Sequence, residues 1–65
     1  MNISVNGEIM SVHAKTLGDI LDALGYKGQR VATAVNAQFV SSANRNDTKL
    51  SEGDMLEIVT PRQGG

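Results

Sequence analysis

Apolar and polar residues alternate through Met1-Asn2-Ile3-Ser4-Val5, the period of a strand with one buried face. Asn6-Gly7 follows, a pair that tolerates positive φ at both central positions of a two-residue hairpin turn. Glu8-Ile9-Met10-Ser11-Val12 is then the return strand. A two-residue turn sets Val5 opposite Glu8, Ile3 opposite Met10 and Met1 opposite Val12. Met1, Ile3, Val5, Met10 and Val12 then share one face, which this register assigns to the core.

The period changes after Lys15. Leu17, Ile20, Leu21 and Leu24 recur at i, i+3, i+4 and i+7, which places one apolar stripe on a helix. Thr16 is suited to cap its start, with Asp19 three residues on as in a capping box. Gly25 is suited to end it in the left-handed conformation. Gly18 weakens the first turn. Tyr26 to Arg30 reads as a loop. Val31-Ala32-Thr33-Ala34-Val35 reads as a third strand, apolar on both faces and therefore central in its sheet. Asn36-Ala37-Gln38 turns the chain into a short strand, Phe39-Val40-Ser41, and Ser42 to Lys49 reads as polar and irregular. Ser51-Glu52-Gly53-Asp54 is a turn signal. Met55-Leu56-Glu57-Ile58-Val59 is the last strand, with Leu56 and Ile58 on one face, and Pro61 ends ladder pairing because it has no N–H.

Strand, strand, helix, strand, short strand, strand is the order of an α+β, β-grasp fold of the ubiquitin-like kind. The expectation is a mixed sheet of four to five strands with one helix packed on one face. Residues 1–59 form the β-grasp domain and 60–65 a flexible C-terminal tail. The core is expected from Ile3, Val5, Leu17, Ile20, Leu21, Leu24, Leu56 and Ile58.

Composition narrows the chemistry. A chain of 65 residues has room for one small core and none for a deep catalytic cleft. The absence of cysteine excludes disulfides, thiol catalysis and thiolate metal sites, and a single histidine excludes a His-rich metal site. Six basic residues against seven acidic ones leave no basic excess to hold nucleic acid. No apolar run approaches a membrane span and no signal peptide is recognisable, so the expected location is the cytoplasm. His13, between strand and helix, reads as a surface loop residue. The carboxylates of Glu8, Asp19, Asp22 and Asp54 read as solvated or capping groups. No Ser-His-Asp arrangement and no phosphate loop is present, so no catalytic role is assigned to any side chain.

The tail is different. No apolar anchor follows Pro61, and the chain ends Gly64-Gly65. Without Cβ atoms, an extended Gly-Gly threads a narrow channel and presents its carboxylate to another protein's active site. A carboxylate coupled to AMP becomes a good acyl donor, and a sulfur nucleophile that displaces AMP leaves a thiocarboxylate. Gly65 is thus the candidate for modification and Gly64 for access. The third and last strands carry apolar residues on both faces, so the sheet face away from the helix is a candidate docking surface. Ala32, Ala34, Met55 and Val59 are its expected members, with Phe39 near the rim. Arg62 is a further candidate for docking the tail through its guanidinium fork, against a solvated role.

Val31 through Asn36, the Leu50-Ser51-Glu52-Gly53-Asp54 turn, the Leu56-Glu57-Ile58-Val59 strand and the terminal Gly64-Gly65 together resemble the bacterial sulfur carriers of thiamine biosynthesis. The Asn6-Gly7 hairpin and the Leu17/Leu21/Leu24 helix also fit, so the resemblance covers nearly the whole chain. Thr33 departs from it, where an apolar residue is expected, and Phe39 is a less expected residue at a position read as partly exposed. The resemblance implies a carrier acted upon by other proteins, and no enzyme. A ubiquitin-activating-like adenylyltransferase would use ATP and magnesium to adenylate Gly65. A sulfur donor system would form the thiocarboxylate, and a thiazole synthase would accept the sulfur. The free carrier is expected to be a monomer that binds no cofactor. The sister carriers of molybdopterin synthesis share fold and tail but tend to be longer. A β-grasp protein-binding module without tail chemistry is the reading from another class.

Overall fold

The computed structural model describes residues 1–61. The first hairpin forms because its turn residues accept a left-handed backbone: Asn6 has φ 51° and Gly7 φ 87°. It joins β1 (Asn2–Val5) to β2 (Glu8–Ser11) in the expected antiparallel register, Val5 beside Glu8 and Ile3 beside Met10. Beyond the last ladder pair, Met1 and Val12 exchange both backbone hydrogen bonds, at 2.8 and 3.0 Å.

Helix α1 (Leu17–Ala23) starts where Thr16 Oγ1 accepts the Asp19 N–H at 3.1 Å. It stops through a complete Schellman arrangement. Gly25, at φ 88°, donates to Asp22 O, and Tyr26 donates back to Leu21 O. The helix start is also stitched to a distant segment, with Leu17 N–H on Thr48 O and Leu50 N–H on Lys15 O, both 2.9 Å.

The remaining strands are β3 (Ala32–Val35), β4 (Gln38–Val40) and β5 (Met55–Val59). Among the described residues the sheet has five strands, in the order β2-β1-β5-β3-β4. β5 lies at its centre, parallel to β1 and antiparallel to β3, while β3 is an interior strand between β5 and β4. This is the mixed β-grasp sheet expected from the element order.

The core fills the space between α1 and one sheet face. Ile3, Val5, Leu17, Ile20, Leu21, Leu56 and Ile58 are buried in it, as expected. Leu24 is only half-buried, because it is the C-cap residue at which the helix turns away. Val31 and Leu50 complete the core. Met1, Met10 and Val12 pack on its margin as half-buried residues, since β2 is an edge strand.

The segment expected to be irregular holds a 3-10 helix, Ser42–Asp47. Six residues is long for this geometry. Arg45 anchors it, donating from Nη2 to Val31 O at 2.6 Å and from Nε to Thr33 Oγ1 at 3.2 Å. Thr33, the polar residue where an apolar one was expected, is 2% exposed. Its hydroxyl donates to Val40 O at 2.8 Å while accepting from Arg45, so both its hydrogen-bonding roles are filled. Gly18 also gains a reason here. A Cβ on it would run into the Asn46 side chain, so the glycine lets α1 and the 3-10 helix approach closely.

Candidate functional site

Two features of the sequence reading converge on β5: the docking face and the tail. Alternation along this central strand turns Leu56 and Ile58 into the core and Met55, Glu57 and Val59 to the opposite face. Pairing with β3 sets Ala34 beside Glu57 and Ala32 beside Val59, while β4 sets Phe39 beside Ala34. The five described docking candidates, Ala32, Ala34, Phe39, Met55 and Val59, therefore share the sheet face away from the helix.

Their exposure differs with position. Phe39 is 73% exposed, Val59 61% and Met55 58%. Phe39 is more open than the partly exposed position assigned to it, because β4 is the edge strand of the sheet among the described residues. Ala34 is half-buried, covered by the flanking strands, whereas Ala32 is exposed. Phe39, Ala32, Ala34, Glu57 and Val59 line one shallow depression around the end of β5.

Ile9 is missing from the sequence reading of this face, yet it is 80% exposed. Hairpin register sets it beside Ser4, and the parallel β1–β5 pairing sets Ser4 beside Met55. Ile9 and Met55 thus flank Ser4 in one row across the sheet. The first contact was legible in the sequence, since Ile9 is the odd residue out in a strand whose Met10 faces inward. The second depends on which strand β1 pairs with.

The edges of β5 are held by two asparagines, neither singled out by the sequence as a site residue. Asn36, at φ 51°, donates its backbone N–H to Met55 O at 2.8 Å and accepts the Met55 N–H on Oδ1 at 2.9 Å. Its Nδ2 donates to Asp54 Oδ1 at 3.0 Å. Asn6 does the corresponding work at the other end, accepting the Ile58 N–H on Oδ1 at 2.8 Å and donating from Nδ2 to Ile58 O at 3.1 Å. Gly64, Gly65 and Arg62 lie outside the described residues. His13, Glu8, Asp19 and Asp22 are exposed, as expected, and Asp54 is half-buried because both its carboxylate oxygens accept hydrogen bonds, from Asn36 Nδ2 and the Ser51 N–H. Among the described residues, no group of three or more His, Cys, Asp or Glu is placed to hold a metal ion, and no helix is long and apolar enough to cross a membrane.

Residues 3–65 match the ThiS family. The chain belongs to that family. It is 33% identical over 61 residues to the sulfur carrier protein ThiS of Thermus thermophilus, a span covering 94% of this chain and 95% of that protein. The fold agrees with a crystal structure of the thiamine biosynthesis protein ThiS from Geobacter metallireducens at a TM-score of 0.82, with 26% identity and full coverage of both chains. An NMR solution structure of a thiamine biosynthesis protein from the same organism aligns at 0.79 and 25% identity, over all of this chain and 88% of that one. The ThiS match extends through β5 to Gly65, so it takes in the Gly-Gly end as well as the folded domain.

Proposed function

We propose that this chain is a sulfur carrier of thiamine biosynthesis whose cargo is held on the carboxylate of Gly65. The observation that carries the reading is the ThiS match over residues 3–65, nearly the whole chain and including its Gly64-Gly65 end. The carrier is a co-substrate, chemically changed by its partners and then restored.

In this cycle a ubiquitin-activating-like adenylyltransferase binds ATP and magnesium. A Gly65 carboxylate oxygen attacks the α-phosphorus of ATP, pyrophosphate leaves, and a mixed anhydride with AMP results. A sulfur donor system supplies the nucleophile that breaks the acyl–oxygen bond and expels AMP, leaving the thiocarboxylate. A thiazole synthase takes the sulfur and returns the carboxylate. Gly64 gives backbone-only access to the channel, and Arg62 helps to seat the tail. The apolar sheet face of Ala32, Ala34, Phe39, Met55 and Val59 docks the partners, extended by Ile9. Exposed apolar residues grouped on one face beside the departure point of the tail favour this placement. The free chain is a monomer working in the cytoplasm.

The test is the mass of the C-terminal peptide after incubation with the adenylating enzyme, ATP and a sulfur source. Exchange of one Gly65 oxygen for sulfur is expected, and deletion of Gly65 is expected to abolish it without lowering the melting temperature. Sulfur on another residue, or full activity without Gly65, refutes the reading.

A further inference from the structure

Near its C-terminal end, β5 extends beyond the strand that flanks it. β1 runs parallel to it only through Ser4 beside Met55 and Val5 beside Leu56. The Asn6 N–H still reaches Leu56 O at 2.9 Å. Peptide groups alternate sides along a strand, so Ile58, two residues on, turns both its N–H and its C=O toward the same flank. No β1 backbone remains there, because Asn6 and Gly7 have already turned the chain back at positive φ.

The Asn6 side chain fills the gap. A carboxamide carries the same donor and acceptor as a peptide group, and Asn6 presents them to Ile58 O and Ile58 N–H at 3.1 and 2.8 Å. It supplies one extra rung to a ladder whose strand has ended. Turn chemistry alone does not demand this, since Gly-Gly also forms a two-residue hairpin. Ile58 is also the last buried residue among those described, and Val59, Thr60 and Pro61 are all exposed. On the β3 flank the end of β5 is held by the pairing of Val59 with Ala32. On the β1 flank, among the described residues, the hydrogen bonds to Ile58 come from Asn6.

We propose that Asn6 is a positioning residue for the activation of Gly65: its carboxamide fixes the end of β5, and with it the point and direction in which the chain runs on from Val59. The inference rests on the carrier reading above. With the clamp in place, the partner that docks the sheet face meets a tail whose root is already ordered. Without it, docking must also order the end of β5.

The experiment compares the full chain with N6G and I20V. N6G keeps the turn and removes the clamp. I20V trims a buried helix residue and serves as the control for destabilisation alone. Two quantities are read: amide hydrogen exchange at Ile58, and the KM and kcat of each chain as substrate in pyrophosphate release by the adenylating enzyme. N6G is expected to accelerate Ile58 exchange selectively and to raise KM about three- to tenfold, the scale of one or two lost hydrogen bonds, with kcat retained. I20V is expected to leave KM unchanged and to accelerate exchange at Ile58 no more than at the other core amides. If N6G proves much less stable than I20V, N6D gives the second point. It keeps an acceptor for the Ile58 N–H, sets a carboxylate against Ile58 O, and is expected to raise KM as well. An unchanged KM in N6G and N6D overturns the positioning role even if Ile58 exchange accelerates, because the clamp would then serve the fold alone. A KM rise of equal size in I20V overturns it too. A different signature marks failure of the carrier reading: the unaltered chain is not adenylated at Gly65, and the inference falls with it.

Discussion

Replacing Arg45 with alanine removes the anchor that ties the 3-10 helix to β3. The guanidinium is half-buried and makes two hydrogen bonds there, Nη2 to Val31 O at 2.6 Å and Nε to Thr33 Oγ1 at 3.2 Å. Hydrogen bonds with a charged partner contribute roughly 1.5–3 kcal/mol each, and partial solvent access to Arg45 lowers the sum. A cost of about 2–4 kcal/mol follows. A domain of 65 residues has about 3–10 kcal/mol in total, so R45A removes a large share of it. At about 4–8 °C per kcal/mol the melting temperature should fall by about 8–30 °C. R45K should recover only part of the loss, since a single ammonium cannot span both acceptors as the planar fork does. Urea unfolding followed by circular dichroism gives the free energies. T33V completes a double-mutant cycle: it deletes one of the two Arg45 partners, so R45A should cost about 1–2 kcal/mol less in that background. A single-mutant cost below about 0.5 kcal/mol, or a coupling energy of zero, would show that the 3-10 helix is held by other contacts and that the argument is wrong.

Three further outcomes are expected. Ala37 sits at φ 69° in the second hairpin turn, where the first has Gly7. The left-handed backbone costs a non-glycine residue roughly 1–2 kcal/mol and glycine's extra chain entropy about 0.5–1 kcal/mol, so A37G should stabilise by about 0.5–1 kcal/mol. A lower denaturation midpoint would count against a strained turn. Leu21 is buried between helix and sheet, and L21A should cost about 2–5 kcal/mol by the same unfolding assay, with a loss under 1 kcal/mol contradicting its core position. Charged substitutions on the open sheet face, A34E and V59E, should weaken adenylation of Gly65 while leaving the melting temperature within a few degrees; unchanged activation kinetics in both would remove this face from the docking surface.

Much of this protein was readable from local rules. The Asn6-Gly7 turn sets the register of β1 on β2, Thr16 and Gly25 bound the helix, and the 3.6-residue stripe points Leu17, Ile20 and Leu21 inward. Each of these rests on interactions between residues a few positions apart, so the order of residue types carries the information. The reading of Gly64-Gly65 is local in the same sense, because it asks only what two glycines and a carboxylate can do.

Tertiary structure decided whatever depends on which distant segments meet. Asn6 lies 52 positions from Ile58, and nothing in the hairpin announces that its carboxamide completes a rung on the central strand. Arg45 and Gly18 look ordinary or unfavourable in sequence, and their roles exist only because the 3-10 helix packs against α1 and β3. The same holds for Thr33, whose hydroxyl is acceptable in the core only with Val40 O and Arg45 beside it. Ile9 joins the open face through Ser4 only because β1 lies parallel to β5. Propensity and periodicity act over a few residues, whereas strand order and the partners of buried polar groups are settled by how the whole chain closes on one small core.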